Sequence, residues 1–508
     1  MVASTPLDQV SQLRQHATRE IELKLEVDPQ SVPAILEGPL PDATECRSQD
    51  QLTVYYDTPE GSLKQRGFTL RVRSIGDRFV QTIKPVTDSA CLVSRTEIEH
   101  DVESIEPDLS TLDGTPLEAL VHSGKLDQLL PLIRSEVRRT SWVAEVGGSS
   151  MQIDFDQGEM TAGGHSQRFD ELEVELLSGQ PSCLLAAAKM VADRAPVRIG
   201  VMSKAERGDR LAAGSFKKIT KAAPVHVDRS MTLAEAFEVM VHACLKHYRL
   251  NEPLVIGGRI PNALHQSRVA MRRLRSAFTL FKSAIADVEY QFLREELRWF
   301  TSQLGDARNL DVYLQRDLPD AERETLTARR EQAYDQVIAA MNSRRARSLM
   351  LELVGWTAFG PWRHGKLARK PVEDYASGRL DRLWRSIADM GHHMADLDEE
   401  TRHELRIQVK KMRYAIEFLR GLYPQAAQAE KGFASAVEDL QESLGKLNDL
   451  ATARSLVAGP AGDDSWLIGE PEGRIHLREA ERAFQDLEAV GPFWQVCDVA
   501  DQREPADA

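Results

Sequence analysis

Arg19-Glu-Ile-Glu-Leu-Lys-Leu-Glu-Val27 alternates polar and apolar residues without a break. Strand side chains alternate faces with period two. Read as a strand, the stretch puts Glu20, Glu22, Lys24 and Glu26 on one face and Ile21, Leu23, Leu25 and Val27 on the other. Two carboxylates beside an ammonium can hold a hard divalent cation and an anionic ligand together. An amphipathic edge strand with a solvated face carries the same pattern, so the neighbouring sequence has to decide between the two readings.

That sequence repeats the device. Tyr55-Tyr-Asp-Thr58 closes one strand, and Leu70-Arg71-Val-Arg73 sets two arginines on one face of the next. Phe79 to Lys84 ends in a lysine, Arg95-Thr-Glu97-Ile-Glu99 alternates again, and Val137 to Trp142 carries Arg138 and Arg139, of which only one can point inward. Gln152-Ile-Asp154-Phe-Asp156 and Glu171-Leu-Glu173-Val-Glu175 follow, and Ser203-Lys204-Ala-Glu-Arg207-Gly208 closes the region. An open sheet would leave these rows in water. A closed sheet would turn them inward, where only one another and a ligand can satisfy them. Basic rows suit a polyanion. Acidic rows suit the magnesium that travels with phosphates.

In this order the motifs resemble the CYTH domain, the triphosphate tunnel metalloenzyme fold, over about residues 16–213. The resemblance implies an eight-stranded antiparallel β tunnel that binds triphosphate compounds with Mg2+ or Mn2+. It implies metal-side carboxylates at Glu20, Glu22, Glu171 and Glu173. It implies phosphate-side cations at Lys24, Arg71, Arg73, Lys84, Arg139 and Lys204, with Arg95, Glu97, Asp156 and Glu175 fitting less securely. Glu20, Glu22, Lys24, Glu171 and Glu173 form the implied catalytic set.

The chain has 508 residues, enough for two or three domains with full cores. Its net charge of −14 argues against nucleic-acid binding driven by overall charge. The cysteines (46, 91, 183, 244 and 497) are scattered without a Cys-x-x-Cys pair, which suits a reducing compartment and offers no zinc site. Without a signal core or an apolar run of membrane-spanning length, the expected address is the cytoplasm, with polyphosphate granules as a second expectation.

Residues 214–228 read as a short linker interrupted by Pro224, between residues 16–213 and 229–500; 1–15 and 501–508 read as tails. Beyond the linker the apolar period changes from two to about 3.6. Helix starts are expected at Thr232, Pro261, Asp287, Asp306, Asp320, Asp374, Glu399 and Gln425. This half contains a repeat, about 229–356 and 373–500. His265-x-x-Arg268-x-x-x-Arg272-Arg273-x-Arg275 returns as His403-x-x-Arg406-x-x-x-Lys410-Lys411-x-Arg413, an offset of 138 (403 − 265). Positions i, i+3, i+7 and i+10 share one helical face, and Arg273 and Lys411 flank it. Four like charges on one face repel unless an anion neutralises them.

The two repeats, with Leu304-Gly-x-x-Arg-Asn-Leu-Asp311 and Leu444-Gly-x-x-Asn-Asp-Leu450, resemble the CHAD domain. That resemblance implies a pair of pseudo-symmetric four-helix bundles that bind inorganic polyphosphate in a basic channel. The fold expected of the chain is therefore α+β and multidomain, a β tunnel followed by an all-α region. Gly360-Pro-Trp-Arg-His-Gly365-Lys366-Leu367 has P-loop spacing but lacks the Ser/Thr that would bind magnesium, so no nucleotide site is expected there. The expected function is metal-dependent hydrolysis of inorganic triphosphate, with polyphosphate as a second partner and neither membrane nor nucleic acid. The alternatives are a thiamine triphosphatase, an adenylate cyclase, or a non-catalytic polyphosphate scaffold.

Overall fold

The computed structural model describes residues 17–86, 91–458 and 471–495; the expected tails and Cys497 lie outside the described residues. The alternating segments form β1 (Ala17–Val27), β2 (Thr44–Asp57), β3 (Phe68–Ile75), β4 (Arg78–Pro85) and β5 (Leu92–Val102). They continue as β6 (Leu130–Val146), β7 (Ser149–Ala162), β8 (His165–Ser178) and the short β9 (Val197–Ile199). The strand order is β5-β4-β3-β2-β6-β7-β8-β1, and β1 pairs with β5 to close the ring. Eight antiparallel strands thus make the barrel. β9 is one strand more than the eight expected, and it pairs with the end of β1 after β5 has left it. The β6–β7 and β7–β8 hairpins turn on Gly147-Gly148 and Gly163-Gly164, all at positive φ, as a type I′ turn requires.

The barrel carries its charges inside and its apolar faces outside. Outward-facing Leu70, Val72 and Ile83 are buried with Leu112, Leu117, Leu120 and Leu126 of the β5–β6 connection. Against β1 and β8 lies α1 (Cys183–Arg194), which buries Leu184, Ala187, Ala188 and Val191. Burying one such leucine contributes about 1.5–3 kcal/mol. These outer cores hold the wall in place and leave the interior free for polar groups.

The second half is helical. Its helices are α3 (Leu233–Gly258), α4 (Pro261–Leu280), α5 (Val288–Gln303), α6 (Gly305–Tyr313), α7 (Asp320–Asn342) and α8 (Arg344–Phe359), then α9 (Val372–Gly391), α10 (Glu399–Leu419), α11 (Ala427–Ala458) and α12 (Pro471–Val490); α2 (Lys204–Ala212) belongs to the barrel. The repeat is visible in the elements. α4 begins 138 residues before α10 (399 − 261), and α3 begins 139 before α9 (372 − 233). The second set packs α9, α10, α11 and α12 into a bundle around Leu380, Leu405, Val409, Phe433 and Leu487.

Two expected turns differ from each other. At Leu304 one helix ends and α6 begins at Gly305, but the corresponding Leu444-Gly445 lies inside unbroken α11. The P-loop-like stretch makes a single helical turn, Pro361–His364, with Trp362 buried edge-on against Phe237.

The described chain clusters into two compact units. The first comprises the residues up to 222 with 242–271 and 295–360, and the second comprises 223–241, 272–294 and the chain from 361 onward. Helical residues therefore belong to the same compact unit as the barrel.

Candidate functional site

The barrel encloses a cavity of about 870 Å³. Of the site residues expected from sequence, Glu20, Glu22, Lys24, Arg71, Arg73, Lys84, Arg139, Glu173 and Lys204 line it. Cross-strand register explains the convergence. Lys24 stands opposite Glu173, Glu22 opposite Glu175, and Arg139 opposite Asp156. Arg139 is the inward arginine, since Arg138 is exposed and lies 3.9 Å from Asp50.

The cations and carboxylates are woven together. Lys24 Nζ lies 2.9 Å from Glu173 Oε1 and 3.4 Å from Glu22 Oε1. Arg139 donates to both oxygens of Asp156 (2.6 Å each), to Asp154 (2.7 Å) and to Glu173 (2.8 Å). Lys204 Nζ reaches Glu171 at 2.7 Å, Asp156 at 2.9 Å and Glu173 at 3.0 Å. Lys84 is ion-paired to Glu97, and Arg71 lies 3.8 Å from the other oxygen of that carboxylate. Arg73 donates from Nε to Thr53 Oγ1 at 3.2 Å.

Lys204 is held by the turn that opens α2. Ser203 caps the helix by accepting from the Glu206 amide at 3.1 Å. Gly208 lets that helix approach β6, because a Cβ there would stand 2.5 Å from Ile133 side-chain atoms. Leu211 of α2 packs with Ile133, Met160 and Phe169.

Two charge environments result. Burial works against the ionised form of Glu173, yet Lys204, Lys24 and Arg139 outweigh it and hold the carboxyl well below the usual range. In the same way Arg139 and Lys204 draw Asp156 down to about 2 against its burial. Elsewhere carboxylates meet carboxylates. Burial and the nearby Glu97 push Glu20 up to about 8. Burial, then Glu22 and Asp154, push Glu175 up to about 7. Cations crowd one another too, since burial followed by Arg71 and Arg139 lowers Arg73 to about 10. The cavity thus holds carboxylates whose charge other carboxylates disfavour, at Glu20 and Glu175, and a guanidinium whose charge other guanidiniums disfavour, at Arg73.

This donor set suits a divalent cation that arrives with phosphate. Among the described residues, no three His, Cys, Asp or Glu side chains are already drawn together as a metal cage. Magnesium does not need one, because it binds through one or two carboxylates, water and substrate phosphates. Repulsion from neighbouring carboxylates raises Glu20 and Glu175, and Glu22, 3.4 Å from Lys24, lines the cavity with them. Glu171, expected beside them, does not line the cavity; it is 1% exposed and turned to Lys204. Asp154 and Glu99 also line the cavity; neither was singled out in the sequence, although period-two alternation puts Asp154 on the face of Asp156.

The repeat helices carry a second basic set. Arg272, Arg275 and His403 are exposed, while His265, Arg268, Arg406, Lys410, Lys411 and Arg413 are half-buried. Arg272 donates to the Tyr414 hydroxyl, which brings α4 and α10 together. Arg268 donates to the Leu304 carbonyl at 2.6 Å, Arg413 to Gln441 Oε1 at 3.0 Å, and Lys411 lies 3.8 Å from Glu404. Arg273, expected to flank the basic face as a polyphosphate contact, turns away from it. It is 1% exposed, lies 2.6 Å from Glu417 and stacks on Phe418. One position off the stripe rotates a helical side chain by about 100°, and here that turns it inward.

The CYTH domain family matches residues 18–208, and the CHAD domain family matches residues 239–458. An inorganic triphosphatase of Haemophilus influenzae is 30% identical over 206 residues, which cover 39% of this chain and 56% of that protein. The chain therefore spans little more than half of that relative. An uncharacterized protein of Mycobacterium tuberculosis is 23% identical over 93% of this chain and 95% of its own length. Among solved structures, the CHAD domain of the plant Ricinus communis is 28% identical with a TM-score of 0.42, covering 56% of this chain and 97% of that one. No helix among the described residues is long and apolar enough to cross a membrane.

Proposed function

We propose that this chain, which carries a CYTH domain followed by a CHAD domain, hydrolyses inorganic triphosphate to pyrophosphate and phosphate with Mg2+ or Mn2+, and binds polyphosphate through its repeat helices. The observation that carries the first part is the divided cavity. Arg71, Arg73 and Lys84 face the same space as Glu20, Glu22 and Glu175. The likeness to an inorganic triphosphatase supports the same reading.

Phosphoryl transfer rests mainly on positioning and charge stabilisation. Arg71 and Arg73 neutralise phosphate oxygens and orient the chain, and binding an anion relieves the mutual repulsion of those guanidinium groups. Lys24, held between Glu22 and Glu173, presents a cation at the join of the two clusters. Glu20, Glu22 and Glu175 would hold the metal, with Glu173 bound to cations beside them. When bound, the metal supplies Lewis-acid stabilisation of phosphate oxygens and a more acidic bound water. Lys84 keeps Glu97 occupied and so reduces the negative charge that the substrate meets.

The polyphosphate proposal rests on a basic face that occurs twice in a chain of net charge −14. Phosphate release from triphosphate, ATP and thiamine triphosphate, measured side by side with each metal, tests the enzyme reading. Turnover fastest on triphosphate is expected. Turnover confined to ATP or thiamine triphosphate would reassign the substrate, and no turnover on any would leave a binding protein.

A further inference from the structure

Glu26 completes the acidic row on β1, and its partner comes from 223 residues further along the chain. Arg249 of α3 is 3% exposed in its side chain and donates from an Nη to Glu26 Oε2 at 2.6 Å. Its Nε donates to the Ile199 carbonyl of β9 at 3.0 Å. The other oxygen of Glu26 takes Arg207 of α2 at 3.3 Å. The same Arg207 nitrogen lies 3.9 Å from Glu171 Oε2, and its guanidinium lies over the Phe169 ring at 5.4 Å. Glu171 holds Lys204, and Lys204 holds Glu173. An uninterrupted series of ion pairs thus runs from a helix of the second half to the tunnel wall.

A second grip lies one turn earlier. Lys246 of α3 lines the tunnel cavity, and its Nζ is 2.8 Å from Glu206 Oε2. Residues i and i+3 share a helical face, so Lys246 and Arg249 reach the barrel from the same side of α3. Glu206 and Arg207 both follow Lys204 in the first turn of α2. The two cations therefore hold that turn at two points, one directly and one through Glu26. Asn251 adds a third tie farther along, accepting from the Thr220 amide at 3.1 Å and donating to its carbonyl at 2.8 Å.

We propose that Arg249 and Lys246 are positioning residues for the tunnel reaction, so that the first repeat of the helical half is a working part of the tunnel. The inference rests on the triphosphatase reading above. Arg249 occupies one oxygen of Glu26, which leaves Arg207 shared between Glu26 and Glu171. Without Arg249, Glu26 would take Arg207 for itself, and Glu171 would draw Lys204 away from Glu173. The lysine would then no longer balance the carboxylate that anchors Lys24 and Arg139. Lys246 acts more directly, because it adds a cation to the cavity wall next to Ser203 and Lys204.

The test uses full-length protein carrying Arg249→Met, Arg249→Lys, Glu26→Gln or Lys246→Met, with kcat and KM for triphosphate measured separately. Arg249→Met is expected to lower kcat by about tenfold or more, since small misplacements in a preorganised site are costly. Arg249→Lys should recover part of the loss. Glu26→Gln should reproduce much of the defect, and combining it with Arg249→Met should fall well short of the sum, because both break the Arg249–Glu26 link, although Arg249 also holds the Ile199 carbonyl and pairs with Glu252. Lys246→Met should raise KM more than it lowers kcat. If Arg249→Met unfolds the protein, Glu26→Gln removes the same link and decides alone. Variants that lose thermal stability but keep wild-type kcat and KM would overturn the proposal, as would additive effects of Arg249→Met and Glu26→Gln. If the wild-type protein does not hydrolyse triphosphate, the enzyme reading fails first. Calorimetric binding of triphosphate then decides the positioning role, which stands only if Arg249→Met and Lys246→Met weaken that binding.

Discussion

The tunnel and the repeat helices both gather cations, but under opposite solvent conditions. In the barrel every described cation of the ring is largely buried, and most have carboxylates within ion-pair distance, such as Arg139 with Asp154, Asp156 and Glu173. On α4 and α10 the cations of the repeated stripe are exposed or half-buried, while Arg273, off that stripe, is buried against a carboxylate, Glu417. Burying an unpaired charge costs several kcal/mol, so a dry site needs its counter-charges built in. A wet face can leave them to its ligand. The first design selects by geometry and the second by charge density. The two should therefore respond differently to mutation, salt and pH.

The largest contrast is expected at Glu22. Glu22→Gln keeps the shape of a side chain in the acidic cluster but removes its charge. Triphosphate turnover should fall by about a hundredfold or more, while polyphosphate binding is unchanged. Near-wild-type turnover with magnesium would remove Glu22 from the metal-side set. Arg73 offers a sharper version. Burial, Arg71 and Arg139 already disfavour its charge. Arg73→Leu should weaken triphosphate binding by about tenfold and raise the metal-free melting temperature by about 2–4 °C. A melting temperature that falls would mean the arginine cluster is not under charge strain.

Salt should separate the regions next. Polyphosphate binding to the exposed helical face should drop by about tenfold between 50 and 200 mM salt, through counterion release and screening. The KM for triphosphate in the buried tunnel should change less. Equal salt dependence in both would collapse the distinction between wet and dry sites.

Acidity gives the smallest effect. Glu20 and Glu175 titrate near 8 and 7 in the fold, above the ordinary carboxylate value of 4.5. Between those values the folded protein binds more protons than the unfolded chain, so stability falls as pH rises. The metal-free melting temperature should decline between about pH 5 and pH 8, and saturating magnesium should flatten the decline. A flat metal-free profile would show that the acidic cluster is not strained.

Much of the barrel was legible because period-two alternation is a local signal. Glu20, Glu22 and Lys24, Arg71 and Arg73, and Glu171 and Glu173 each declared a shared face. Which carboxylates confront a cation and which confront one another depends on register between strands. That is why Glu171, opposite Glu26, meets Lys204, whereas Glu175, opposite Glu22, meets other acids. No single strand carries that information. The repeat foretold α4 and α10, but the sequence signals no helix start between Asp320 and Asp374, where α8 begins at Arg344. The break is one extended residue, Ser343, whose hydroxyl accepts from the Ala346 amide at 3.1 Å. The Arg249–Glu26 link joins residues far apart in sequence, and neither one looks unusual beside its neighbours.

The most direct measurement is steady-state phosphate release from inorganic triphosphate by the full-length protein with magnesium or manganese, beside Glu22→Gln. Metal-dependent turnover that chelation abolishes and the variant lacks is the predicted result. No turnover with either metal, or turnover that survives chelation and Glu22→Gln alike, would contradict the assignment of the tunnel as the site of hydrolysis.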